Sequence, residues 1–290
     1  MQAKRALPRL SDRLPLGRSG LEVSPICLGM VSDPDTIPAA FEAGINFFFV
    51  TADMHWPAYE AMRRGLARLL DGNRAARDAI VVAVAAYVTQ PVFMWAPFSE
   101  VLEEVPILER IDLTVGGGCY RPEYAQRERV LASHREVQHV GARAVGASFH
   151  DRGLAREVVE RDNLDIAFVR YNPVHPGARA DLFPHVAPRA AGRHCLLYNF
   201  TSTHGVLADH EYAPLGVPDH YWRPRHTDYY RFALSEPAID GLLCSPSRPR
   251  EIRDLADALA TGPMEDEDRR YLLDLGELVR GAARVAKAGE

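Results

Sequence analysis

The sequence has no run approaching about 18 uninterrupted apolar residues, the length a membrane-spanning helix requires, so a spanning helix is excluded. Its opening, MQAKRALPRLSDRLPLGRSG, is positively charged but lacks the apolar stretch of a secretory signal, and it is not expected to act as one. Basic excess is missing too. Lys and Arg number 34 against 39 Asp and Glu, a formal net charge of −5 with both signs mixed along the chain. That balance argues against nucleic acid and anionic lipid and leaves a small molecule as the expected partner. The four cysteines, Cys27, Cys119, Cys195 and Cys244, are far apart with no CxxC pair, which fits reduced thiols in the cytoplasm. Eleven histidines occur without HxH or HExxH spacing, so no metal site is expected. The glycines at Gly116–Gly118 lack the GxGxxG spacing and the following acidic residue of a dinucleotide fingerprint, and read as a widened pocket wall.

What is present is a repeat of short β-branched or aromatic runs alternating with amphipathic helical stretches, the pattern of βα units around a parallel sheet. Eight strands are predicted: Ser24–Leu28, Asn46–Thr51, Ile80–Ala85, Ile111–Val115, Ala144–Ala147, Ile166–Tyr171, Cys195–Phe200 and Gly241–Cys244. Helical spacing places Met62, Leu66, Leu69 and Leu70 on one stripe of Ala58–Leu70, and Ile252, Leu255 and Leu259 on one stripe of Pro249–Leu259. The fold class is α/β, a (β/α)8 barrel forming one domain over residues 1–290. Three parts lie outside the repeat: a small hairpin over Arg13–Glu22, an extra C-terminal helix over Glu265–Lys287, and a long loop, His204–Pro224, expected to cover the barrel mouth where such folds assemble their sites.

The segments LPLGRSGLEVSPICLGM, AFEAGINFFFVTAD, GASFHD, VRYNPVH, LLYNFTSTHGVL and PAIDGLLCSPSRPREIRDLADAL resemble, in order, segments of the aldo-keto reductases. The resemblance implies a reductase-type barrel with a hairpin before its first strand. Family reductases use a Tyr proton donor, a Lys and a His beside it, and an Asp paired with the Lys. Matching their DTAxxYG motif sets Val50 at the Asp and His55 at the Tyr, with Ala85 or Ala86 at the Lys and Gly116 or Gly117 at the His. No member of the four is retained. Cofactor positions are mixed: Ser148 and Tyr198 match residues that hold nicotinamide, and Ser245, Ser247, Arg248 and Arg253 match the phosphate loop. Phe149, Phe168 and Cys244 replace amide-recognising or small residues. NADPH is therefore expected to bind weakly or not at all.

His55 is the expected proton carrier, because an imidazole gives and takes protons near neutral pH, with Asp53 orienting it. The strand ends also place Trp56, Cys119, Tyr120, His150, Arg170, Asn172, His175 and His204 around the substrate pocket. The first functional expectation is acid–base chemistry, such as isomerisation, dehydration or cyclisation, on a small carbonyl- or imine-containing molecule. The alternatives are an NADPH-dependent oxidoreductase in which His55 replaces the tyrosine, and a ligand-binding protein without catalysis.

Overall fold

The computed structural model describes residues 6–288; residues 1–5, part of the stretch read for a signal, and 289–290 lie outside the described residues. A two-stranded antiparallel hairpin, β1 (Leu14–Leu16) and β2 (Leu21–Val23), precedes eight parallel strands. These are β3 (Ile26–Leu28), β4 (Phe47–Thr51), β5 (Val81–Ala86), β6 (Leu113–Cys119), β7 (Ala144–Phe149), β8 (Ile166–Arg170), β9 (Leu196–Phe200) and β10 (Gly241–Cys244). They pair in chain order and β10 closes on β3, giving a (β/α)8 barrel. Around it lie α1 (Thr36–Glu42), α2 (Glu60–Leu70), α3 (Arg74–Ala79), α4 (Ala96–Glu104), α5 (Arg121–Glu136), α6 (Arg152–Arg161), α7 (Ala178–Asp181), α8 (His226–Leu234), α9 (Pro249–Ala260) and α10 (Asp266–Ala288).

Each expected strand is present, with two differences that matter for the site. β6 continues past Val115 to Cys119, because the register against β7 shifts between Gly116 and Cys119 and absorbs the extra residues. The helix expected from Ala58 starts at Glu60, since residues Asp53–Tyr59, which include Pro57, coil into a tighter 3-10 turn.

Alternation along the strands separates two apolar layers. Phe47, Phe49, Ala83, Ala85, Val115, Phe168 and Tyr198 fill the barrel, whereas Phe48, Val50, Val82, Val84, Ala86 and Phe149 face the helices. Strands buried on both faces have no polar side to display, so runs such as FFFV and VVAVAA read as continuous apolar sequence. The stripes expected on α2 and α9 are the buried ones: Met62, Leu66, Leu69 and Leu70, and Ile252, Leu255 and Leu259.

The base of the barrel is held by a repeating device. A buried acceptor stands immediately before every second strand and takes the N–H of the segment alongside. Asn46 accepts from Ser24 N at 2.7 Å, Asp112 from Val82 N at 2.8 Å, Asp165 from Val145 N at 2.9 Å and Asp240 from Leu197 N at 2.8 Å. Arginines neutralise the three carboxylates: Arg77 on Asp112 at 3.0 Å, Arg135 on Asp165 at 3.3 Å and Arg193 on Asp240 at 2.9 Å. The hairpin docks on the same end, its Leu16 and Val23 joining the barrel interior. At its turn Gly17 has φ +55° and lies so close to Asp165 that a Cβ would collide with it, which lets Arg18 N donate to Asp165 Oδ1 at 2.9 Å.

On the flank, α5 buries His134 among Trp95, Phe98 and His139, with Nδ1 3.4 Å from Thr114 Oγ1 and Nε2 unpartnered. Burial, aided by the neighbouring His139, lowers its pKa from 6.5 to about 4.

Two outcomes are expected. Asp240→Ala strands the buried Arg193 and the Leu197 N–H, and should cost about 3–5 kcal/mol in urea unfolding, the scale of breaking a buried pair; a loss below about 1 kcal/mol would contradict this account of the base. His134 is neutral when folded but takes a proton in the unfolded chain below pH 6.5, so its contribution is complete above that pH and fades as pH falls toward about 4. Urea midpoints measured across that window should decline less steeply for His134→Leu than for the parent chain.

Candidate active site at the barrel mouth

The strand C-termini surround a cavity of about 420 Å³. Its base is aromatic, from Phe49 on β4 and Phe168 on β8, and its walls carry Tyr59, Tyr87 and Tyr230, with Phe200, Ser148, His150, His204 and Ser245 at the edge. Among the described residues no lysine, arginine or carboxylate lines it. The lumen-facing residues at the ends of β4 and β5 are Phe49 and Ala85, while Val50 turns outward to the helices. This corrects the motif match that set Val50 beside the pocket: strand parity, not motif spacing, decides which residue faces in.

A linked set of contacts fixes Tyr87, the residue immediately after β5. Asp53, held at φ +57° at the start of the 3-10 turn, accepts from Tyr87 N at 2.6 Å. The Tyr87 ring then lies over β6, where a Cβ on Gly117 would come within 2.9 Å of it. Gly118, at φ +57°, donates its N–H to Ser148 Oγ at 2.8 Å. The glycine run is therefore the floor on which a tyrosine ring rests, rather than an opened wall.

Behind that floor is a buried cation. Arg127 of α5 is fully buried and its Nη2 donates to Ala86 O, the carbonyl just before Tyr87, at 3.1 Å and to Gly117 O, on the strand beneath the Tyr87 ring, at 2.8 Å. Its Nε and Nη1 have no hydrogen-bond partner, and no carboxylate pairs with it among the described residues. The pKa of Tyr87 is raised, first by burial; the Arg127 charge offsets part of that rise, and Asp53 adds to it. Tyr59 is raised more strongly, by burial and by Tyr87, with the Thr51 hydroxyl acting the other way.

The structure divides the residues singled out in the sequence. His150, His204, Ser148 and Ser245 line the cavity. His55 does not: it is exposed, its ring meeting Tyr87 edge-on at 4.6 Å, because the 3-10 turn brings Tyr59 inward instead. Asp53 holds the Tyr87 backbone. Trp56 faces away from the cavity lining, donating Nε1–H to Glu104 at 2.9 Å under the Arg63 guanidinium. Cys119 is a buried thiol whose pKa burial lifts to about 12, bonded to Gly116 O. Tyr120 is half-exposed and stacks on His150. Asn172 is buried and braces the β8 and β9 loops, donating to Thr201 O at 2.9 Å and accepting from His175 N at 2.8 Å. His175 sits behind His204, ring centroids 5.0 Å apart, with its pKa lowered to about 4 by burial and then by Arg170. Arg170 also lowers His150, after burial. Among the described residues no three His, Cys, Asp or Glu side chains form a metal-binding group.

Of the cofactor-position residues, Tyr198 is wholly buried inside the barrel, packed on Phe47 and Phe168 and donating to Ser24 O at 2.8 Å; Phe200, two residues on, reaches the mouth. Arg248 and Arg253 are exposed at the start of α9, and Ser247 N is already taken by Glu251 Oε2 at 2.7 Å. The loop His204–Pro224 contributes only His204 to the cavity. The rest packs on α10 through Tyr212, Val217 and Leu275, with Tyr271 donating to Trp222 O at 2.8 Å. Sequence reading missed Tyr59, Tyr87, Tyr230 and Arg127. Tyr87 carried a signal, since it directly follows a strand; Arg127 carried none, lying inside an ordinary helix.

No protein-family model matches the chain, and no curated protein matches it in sequence. Solved structures do match. The holo form of an aldo-keto reductase from Bacillus halodurans is 15% identical with TM-score 0.68, covering 91% of this chain and 96% of its own. A Bombyx mori aldo-keto reductase in complex with NADP is 13% identical with TM-score 0.64, covering 91% and 92%. One from Brucella melitensis is 13% identical with TM-score 0.61, covering 91% and 99%. An eight-stranded parallel barrel, a hairpin sealing its base and a helix added at its C-terminal end together give this chain the fold of the aldo-keto reductases.

Proposed function

We propose that the protein is an enzyme that moves protons on a small, uncharged carbonyl- or imine-containing molecule held in the mouth cavity, with Tyr87 as the proton donor. The observation that carries this reading is a phenol on the cavity wall backed by a buried arginine with no counter-ion among the described residues. A cation placed there stabilises the phenolate left when Tyr87 gives its proton to a substrate oxygen or nitrogen. His204 or His150, lining the same cavity, then takes a proton from the adjacent carbon; the imidazolium returns it to a different carbon while the Tyr87 phenolate takes back its proton from the substrate oxygen or nitrogen, which completes an isomerisation with the enzyme restored. Asp53 and Gly117 are positioning residues for the Tyr87 ring.

The reductase arrangement needs a lysine beside the tyrosine, and the only lysines in the sequence are Lys4 and Lys287, near its two ends. Among the described residues no barrel strand carries a lysine. Hydride chemistry would also require nicotinamide, and here the chain's own carboxylate, Glu251, occupies a backbone donor at the α9 start that a cofactor phosphate would use. A second reading, a nonstandard NADPH-dependent oxidoreductase, is favoured by the reductases that share the fold and by Ser148 and Ser245 in the cavity. Titration of NADPH followed by fluorescence separates the two: proton chemistry expects weak or undetectable binding, and a submicromolar dissociation constant would promote the reductase.

With a carbonyl panel supplying an activity, Tyr87→Phe should lower turnover roughly a hundredfold or more, the scale of general acid–base catalysis, without unfolding the chain. His55→Phe should change it little, and the reverse result would restore the exposed imidazole as proton carrier. Burial and Arg170 hold His150 below its usual 6.5, so it stays neutral and able to accept a proton at neutral pH. The rate should be level above pH 6.5 and decline as pH falls below it.

A further inference from the structure

A second cavity, of about 660 Å³, lies on the flank of the barrel, away from every residue of the mouth. Its walls come from α7, the segment leading into β9, the turn before β10 and the first part of α10. Four arginines face it: Arg179, Arg189, Arg193 and Arg269.

Their charges are unevenly matched. Arg193 is spent on Asp240, with nitrogens at 2.9 and 3.2 Å from the two carboxylate oxygens, and is part of the barrel base. Arg269 binds Glu236 at 2.6 Å and donates to Tyr171 OH at 3.2 Å. Among the described residues Glu236 is the only carboxylate lining the cavity, and its other approach, to Arg179, is a loose 3.8 Å. Arg189 is half-buried and has no side-chain hydrogen bond or ion pair among the described residues. With Asp240 and Glu236 counted once each against four guanidinium groups, two positive charges face the cavity unneutralised. The remaining wall is apolar, built by Phe183, Val186, Pro188 and Ala238.

A concave surface that combines one guanidinium without a partner among the described residues, Arg189, one only loosely paired, Arg179, and an apolar wall is suited to an oxyanion attached to a hydrophobic body. Guanidinium presents paired N–H donors that match a carboxylate or phosphate, and the partial burial of Arg189 strengthens the attraction by limiting solvent screening. We propose that this flank cavity is a binding site for a small organic anion, a carboxylate or phosphate ester carrying an apolar group, held by Arg179 and Arg189 with the apolar part against Phe183, Val186 and Ala238. The site shares no residue with the mouth, so it stands whether or not the proposed proton chemistry does.

Calorimetric titration of the full chain with phenyl phosphate and, separately, with benzoate tests it, using benzamide as the uncharged control and potassium chloride to match ionic strength. The expected result is one site per chain with a dissociation constant of about a millimolar or tighter for at least one of the two anions, and no binding of benzamide. Whichever anion binds more tightly identifies the preferred head group. Arg189→Gln should weaken that binding at least tenfold, and since this side chain makes no hydrogen bond or ion pair among the described residues, the variant should keep the parent's unfolding midpoint. Ala238→Leu, which fills the apolar wall, should weaken the aromatic anions but leave any binding of inorganic phosphate unchanged. Failure of both anions to bind at 10-fold above about a millimolar, or equal binding to the parent chain and Arg189→Gln, overturns the proposal.

Discussion

The barrel depends on the buried acceptors that stand before alternate strands. A closed parallel barrel leaves backbone N–H groups at its base wherever neighbouring strands start at different heights, and a buried N–H without a partner is costly. Asn46, Asp112, Asp165 and Asp240 each meet one such donor from a neighbouring segment, so four side chains tie the eight strands pairwise. Three of the four are charged and would be unfavourable there alone; the arginines at 3.0, 3.3 and 2.9 Å make their burial tolerable. With the base fixed and the hairpin seated on it, the opposite end is free to vary.

That freedom is visible at the mouth. The strand ends present Phe49, Ala85, Gly117, Phe168 and Phe200, side chains that set shape without charge. The polar and charged groups come from the connections instead. Asp53 adopts a left-handed backbone to reach Tyr87 N, the Tyr87 ring settles on a strand segment that has no Cβ, and Arg127 approaches from the helix layer because β6 bulges there and exposes Gly117 O. Each part has a local cost, from positive φ, a glycine run or a desolvated guanidinium. Costs concentrated at one place in an otherwise regular barrel mark a site rather than a defect.

The contrast between the mouth and the flank cavity is one of charge. The mouth is lined by hydroxyls, imidazoles and rings, whereas the flank gathers arginines around a single lining carboxylate. Two concave surfaces with such different electrostatics suit different ligands, and Asn172 and Tyr171, adjacent on the β8 loop, put them within one connection of each other: Asn172 braces the mouth loops while Tyr171 OH receives Arg269.

The sequence by itself determined the architecture. Eight apolar strand runs, the hairpin, the apolar stripes of α2 and α9 and the added C-terminal helix are encoded by local periodicity and turn residues, which act over a few positions and survive divergence. It also placed His150 and His204 near the mouth, because a residue just past a parallel strand has few other places to go, whereas Ser148 and Ser245 were pointed to by the resemblance to the reductases. Only the tertiary structure decided which neighbours face inward. Val50 and Phe49 are equally apolar in the sequence, and barrel closure turns one out and the other in. The 3-10 turn at Asp53–Tyr59 shifts the motif spacing, moving Tyr59 into the cavity and His55 to the surface. Arg127 reads as one more charge on a helix until the β6 bulge supplies carbonyls to hold it. Side-chain direction, loop reach and the pairing of distant charges depend on atoms brought together across the barrel, and no local pattern in the chain carries that information.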